Sequence, residues 1–146
     1  MLRSLNKLVK ESLFISVISV SSLLLVYLFV LEPFKVRGNS MEPTLQDSSW
    51  VLGKKTGLNK TDLTKKVVIF KSPSTSLNIK RITGVSGDQV VVNGEPTQVS
   101  KDNFYVLGDN TTESYDSEEL GLINRRDILG VAFFVIWPPK SIGPVH

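Results

Sequence analysis

Ser40 lies in the run Gly38-Asn39-Ser40-Met41-Glu42-Pro43-Thr44, a loop entered through glycine and stiffened by proline. A serine hydroxyl is a poor nucleophile until a neighbour takes its proton. Histidine, the usual base, occurs once, as His146 at the C-terminus, where chains tend to fray. No Gly-x-Ser-x-Gly elbow exists. The one Ser-x-x-Lys match, Ser4 to Lys7, sits on a short charged tail with no fold around it. Lysine remains as the candidate base. The best placed is Lys80 in Asn78-Ile79-Lys80-Arg81-Ile82, an ionisable residue within a strand-like run that shares a face with Ile82. A lysine at its ordinary pKa of about 10.4 is protonated and cannot act as a base, whereas loss of solvation lowers that value by several units. The local sequence by itself favours a plainer alternative, in which Lys80 stands at a sheet edge with its stem packed and its amine in water.

The elements that must position these groups begin with an uncharged span from Ser12 to Leu31, whose 20 residues are about the length needed to cross hydrocarbon as a helix. Five serine hydroxyls lie in it, at Ser12, Ser16, Ser19, Ser21 and Ser22, each able to bond back to a helix carbonyl. The span exceeds the usual h-region of a cleaved secretory signal and no Ala-x-Ala-like site follows, so it reads as a retained anchor. Arg3, Lys7 and Lys10 precede it, and Lys35 and Arg37 follow closely. That slim bias places residues 1–11 as a cytoplasmic tail, 12–31 as the transmembrane helix and 33–146 outside. The remaining chain, about 114 of the 146 residues, suffices for one core. With no cysteine, disulfides, thiol nucleophiles and cysteine metal sites are excluded. The net charge of +3 is spread along the chain. It suits a domain beside anionic lipid headgroups better than a nucleic-acid binder, which would need a basic stripe interleaved with aromatics.

Beyond the anchor the pattern is that of strands. Pro33 ends any helix, and Phe34-Lys35-Val36-Arg37 alternates apolar with basic residues. Ser49 to Leu52 is a short apolar run, and Lys54 to Lys66 reads as a loop. Val67 to Phe70, Leu77 to Val85, Gln89 to Val92, Phe104 to Leu107 and Gly130 to Trp137 read as strands. Asn93-Gly94 is a hairpin signal, Gly108-Asp109-Asn110 a turn, and Pro138-Pro139 a stop. No amphipathic helix is evident. The expected fold is mainly β, a single compact antiparallel β-sheet domain behind one N-terminal transmembrane helix.

Three blocks fall in order behind the anchor: Ser40 to Thr44, Lys80 to Asp88, and Gly108-Asp109-Asn110 through Ser114-Tyr115-Asp116-Ser117. In this the chain resembles bacterial type I signal peptidase, the membrane serine protease that removes signal peptides from exported proteins. The resemblance runs from the anchor to Trp137-Pro138-Pro139. It implies Ser40 as nucleophile, Lys80 as general base and Ser114 as the hydroxyl that orients the lysine amine. It also implies the Ser40 backbone N–H as an oxyanion donor, Met41 and Pro43 as shapers of the nucleophile loop, and Gly108, Asp109, Asn110 and Asp116 as the turn bracing the site. Val36 and Ile79 match walls of shallow pockets for small side chains such as alanine. No metal or organic cofactor is implied. The implied partners are preprotein signal peptides and membrane lipid, with no nucleic acid, and the implied location is the cytoplasmic membrane.

Several positions depart from the family pattern. Some relatives have a serine as second oxyanion donor where this chain has Gly38. The common Gly-Asp before the Val67 strand is Lys65-Lys66, and the usual arginine after Asp-Ser is Glu118, so an Asp–Arg brace from Asp116 to that position cannot form. Arg81 is left to pair with Asp116 or Asp109, as a surface pair of little worth. Lys80 and Gly108 are only 28 positions apart, which leaves no room for the large β insertion of some relatives. Asn59-Lys60-Thr61 and Asn110-Thr111-Thr112 match the glycosylation triplet but are frequent chance patterns. Asp109 and Asp116 read as structural rather than as an acid pair or metal ligands. Trp137 and Phe133-Phe134 read as core, or as an end that dips into a membrane interface. Two alternatives to bacterial signal-peptide cleavage remain: an organellar processing peptidase of the same superfamily, and a non-catalytic protein that binds signal peptides.

Overall fold

The structure, a computed structural model, describes residues 2–55, 62–72 and 77–146. The Asn59 triplet and the middle of the Lys54–Lys66 loop lie outside the described residues. Helix α1, Leu2–Phe29, carries the apolar span. Its stretch Lys7–Tyr27 is long and apolar enough to cross a membrane, and none of it is buried against protein. Ser16, Ser19 and Ser22 each donate to the carbonyl four residues back at 2.9 Å, so their hydroxyls are satisfied within the helix. That is the arrangement a polar group requires in lipid.

Strand β1, Leu31–Lys35, begins after the single residue Val30, two positions before Pro33. Its pairing with β2, Trp50–Lys54, starts at Leu31↔Lys54, and the Lys55 N–H donates to the Val30 carbonyl at 2.9 Å. Pro33 is tolerated because β1 is an edge strand, where a missing N–H need not break a ladder.

The other strands are β3 (Val67–Lys71), β4 (Leu77–Gly84), β5 (Gln89–Val92), β6 (Glu95–Gln98), β7 (Asn103–Leu107), β8 (Ile123–Asn124), β9 (Ile128–Trp137) and β10 (Gly143–Pro144). The main sheet has the order β1-β2-β9-β3-β4-β7-β8, with β10 added to β9, and every pairing is antiparallel. Val67 to Phe70 is apolar without alternation because β3 is covered on both faces. Val67 and Ile69 join a core with Phe34, Val36, Met41 and Leu45, while Val68 and Phe70 join one with Ile82, Phe104 and Val106. Asn93 and Gly94 take φ of 50° and 80°, and the hairpin they close (β5–β6) forms its own two-stranded sheet.

Candidate active site

The Ser40 loop is held from below by its own apolar residues. Met41 and Leu45 are each 1% exposed in the first core, and the Leu45 N–H donates to the Met41 carbonyl at 2.8 Å. At the entrance, Gly38 has φ of +80°, and its N–H donates to Asp47 Oδ1 at 2.7 Å. That bond, followed by one from the Ser48 hydroxyl, holds the Asp47 carboxyl below the usual carboxylate range. It also commits the Gly38 N–H, so position 38 offers no free amide toward Ser40. From across the fold, the Asn110 N–H donates to the Ser40 carbonyl at 3.0 Å, and Asn110 Nδ2 to the Asn39 carbonyl at 3.3 Å. The Gly108-Asp109-Asn110 turn is thereby stitched to the serine loop.

Lys80 stands on β4 opposite Val68 and is 3% exposed. The plainer alternative, a snorkelling amine in water, is incompatible with that burial. Its Nζ donates to Ser114 Oγ at 3.0 Å, and Ser114 Oγ donates its one hydrogen to Asp116 Oδ2 at 2.6 Å. Ser114 is therefore an acceptor toward the lysine. Burial pushes the Lys80 amine below its ordinary pKa, opposed by the charges of Asp116, Asp109 and Glu119.

Arg81, the next residue, makes a forked pair with Asp109, Nε to Oδ1 at 2.8 Å and Nη2 to Oδ2 at 2.7 Å. It also donates to the Lys65 carbonyl at 3.1 Å and to Thr44 Oγ1 at 3.4 Å. The two side chains are 19% and 16% exposed, so the expectation of a weak surface pair is corrected: this is a bidentate, largely buried clamp. Burial would raise the Asp109 carboxyl, but bonds from Arg81 and Thr44 outweigh it and hold the group low. The same pairing pushes the Arg81 guanidinium up. Thr44 is thus part of the clamp, which nothing in its local sequence announces.

Asp116 takes a place the strand pattern does not foresee. It caps a short helix α2, Ser117–Leu120, accepting from the Glu118 N–H at 3.2 Å, while the Asp116 N–H donates to Glu119 Oε2 at 3.1 Å. The signal was present as Asp116-x-x-Glu119, a capping box. Its first residue, Ser117, is fully buried, and its hydroxyl accepts from the Val106 N–H at 2.9 Å, while Asp116 Oδ2 accepts from the Gly108 N–H at 3.0 Å. These two side chains serve the Val106 amide of β7 and the Gly108 amide just after it, both beyond the reach of β8, which pairs only with Asn103 and Phe104. Ser117→Ala leaves the Val106 amide buried without its acceptor and is expected to cost about 1–3 kcal/mol. Thermal unfolding of the full chain in detergent checks this; no change in Tm would mean that the amide has found another acceptor.

A cavity of about 570 Å³ opens over these groups, with Ser40, Lys80, Val36, Ile79, Met41 and Trp50 on its walls. Val36 is 2% exposed and forms floor more than wall, whereas Ile79 is half-buried. Two extended segments flank the cavity, Glu32 to Arg37 and Leu77 to Lys80. The first includes the sheet's edge strand. On the second, β7 pairs only from Arg81 onward, so β3 is the only strand beside Leu77–Lys80 among the described residues. Pro43 lies in the serine loop but not on the cavity wall. Among the described residues, no cluster of three or more His, Cys, Asp or Glu side chains is arranged to hold a metal.

A family model described as signal peptidase, peptidase S26, matches residues 6–97 and 91–137 of this chain. Signal peptidase I P of Bacillus subtilis subsp. natto is 33% identical over an alignment covering 84% of this chain and 85% of the relative. Probable signal peptidase I-2 of Synechocystis sp. is 32% identical, with 79% and 67% covered, and signal peptidase IB of Staphylococcus aureus is 30% identical, with 80% and 83% covered.

Proposed function

Since this chain belongs to the signal peptidase family, peptidase S26, and is a serine endopeptidase of that family, we propose that it removes signal peptides from exported preproteins with a Ser40–Lys80 dyad. The observation that carries the residue assignment is the Lys80 amine, nearly excluded from water and donating to Ser114 at 3.0 Å, on the wall of the cavity that Ser40 also lines. Helix α1 is the anchor, with residues 1–11 in the cytoplasm, one membrane crossing that starts at residue 12 and ends with the helix at Phe29 instead of Leu31, and residues 33–146 on the outer side of a bacterial cytoplasmic membrane.

A preprotein enters as an extended chain between Glu32–Arg37 and Leu77–Lys80, two segments whose backbones can bond to it in the manner of an added strand. Small side chains such as alanine fit the shallow pockets beside Val36 and Ile79, giving cleavage after an Ala-x-Ala sequence. Neutral Lys80 takes the Ser40 proton as Oγ attacks the carbonyl carbon, and the Ser40 N–H bonds to the developing oxyanion. The lysine then hands the proton to the departing amine, the mature protein leaves, and an acyl ester remains on Ser40. Water, losing a proton to the same amine, attacks the ester and frees the serine.

The test is cleavage of a purified preprotein in detergent micelles by wild type, Ser40→Ala and Lys80→Ala. Wild type is expected to cut after Ala-x-Ala. Each variant is expected to lose activity by at least about 10³-fold while remaining folded. A folded but inactive wild type would instead support a role in binding signal peptides.

A further inference from the structure

Asp116 is 4% exposed and is the hub of the array: Oδ2 receives Ser114 Oγ at 2.6 Å and the Gly108 N–H at 3.0 Å, and Oδ1 receives the Glu118 N–H at 3.2 Å. At the backbone, the Asp116 carbonyl accepts from the Glu119 and Leu120 N–H groups at 3.1 and 2.6 Å, and the Asp116 N–H donates to Glu119 Oε2 at 3.1 Å. This last bond is the side-chain tie on the backbone from which the Asp116 carboxylate springs, one step from the hydroxyl that meets Lys80. From this bond we infer that Glu119 is a positioning residue for the reaction, acting through Asp116 and Ser114 on the Lys80 amine. The inference rests on the proposed role of Lys80.

Position and charge can be separated. The charged and titratable groups facing the array are Asp116 and Glu119 around α2, Asp109 with its partner Arg81, and Tyr105 on β7, which lies in the field of Glu118, Asp116 and Glu119. Glutamine at 119 keeps an acceptor oxygen and removes the charge; alanine removes both.

The experiment measures kcat, KM and the pH profile of the full chain in micelles, with Lys80→Ala as reference. Glu119→Ala is expected to lower kcat about tenfold with KM little changed, and Glu119→Gln to restore kcat to within about threefold of wild type. In both variants the acid limb of the profile should move to lower pH, because a negative charge near the lysine is gone. Glu119→Asp keeps the charge but withdraws the oxygen, so its limb should stay in place while kcat falls. It serves as the contrast to glutamine should the alanine variant not fold. Wild-type kcat in Glu119→Ala, or in Glu119→Asp, would overturn the inference, as would Gln falling as far as Ala. If Lys80→Ala itself retained activity, the dyad reading would fail instead, which keeps the two failures apart.

Discussion

Lys80→Met is expected to abolish cleavage and yet to make the protein more stable below the alkaline range. Methionine fills nearly the same volume as the lysine stem without bringing a charge into a site that is 3% exposed. The sign follows from the lowered pKa of Lys80, whose first cause is burial. Below the folded-state pKa both folded and unfolded chains hold the proton, and the folded chain bears the full cost of the buried ammonium. As pH rises from that value toward about 10.4, the unfolded chain holds more protons than the folded one, so stability climbs; above it the penalty is gone. Wild-type Tm should therefore rise through this window, and the methionine variant should lack that rise. Activity follows the same group. In the proposed dyad the neutral amine is the working form, so kcat/KM of wild type should increase with pH through the folded-state value. A pH profile without that limb, or cleavage by Lys80→Met, would remove Lys80 from the role of base.

Gly108→Ala is expected to reduce kcat by at least about 100-fold, the scale of a displacement near 1 Å among reacting groups. A Cβ at this position would strike Ser114 Oγ and would lie 2.5 Å from the Ser40 carbonyl oxygen. The need is for space rather than for backbone freedom, since the collision occurs with the two loops that carry the reactive groups. The methyl must push apart the serine loop and the hydroxyl that meets Lys80. The accompanying loss of stability should be about 1–3 kcal/mol, typical of overpacking. Gly143→Ala is the control, because nothing lies within 4 Å of a Cβ there. Peptide cleavage and Tm measured on both variants decide the point; wild-type kcat in Gly108→Ala would show that the turn gives way without moving the site.

The strands were legible because their signals are local. Val67 to Phe70 is β-branched and aromatic, Asn93-Gly94 demands a tight turn, and Pro138 stops the last long strand. Helix α2 was not, because four residues are too few to show a period, and only the Asp116–Glu119 spacing betrayed it. The start of β1 was hidden for another reason. Val30 and Leu31 are as apolar as the helix before them, and the change to strand is imposed by pairing with Lys54 and Lys55. At the site, the residue types were readable and their partners were not. Arg81 reaches Asp109 and Thr44 across 28 and 37 positions, and choosing Asp109 over Asp116 requires the sheet to be assembled first. The order Lys80–Ser114–Asp116 likewise depends on α2 docking Ser117 against Val106.

The outer side of β1, open among the described residues, bears on how copies of this protein meet one another. An unpaired sheet edge beside an exposed apolar helix is a ready template for intermolecular strand pairing. Three features of β1 oppose that outcome. Pro33 deletes one N–H from the edge, and Glu32 and Lys35 place charges on either side of it. Glu32 is tied to Lys55 at 3.3 Å, which keeps its charge at the strand's start. A second copy of the strand would have to pair through the missing donor. An edge built this way can stay open without seeding aggregates.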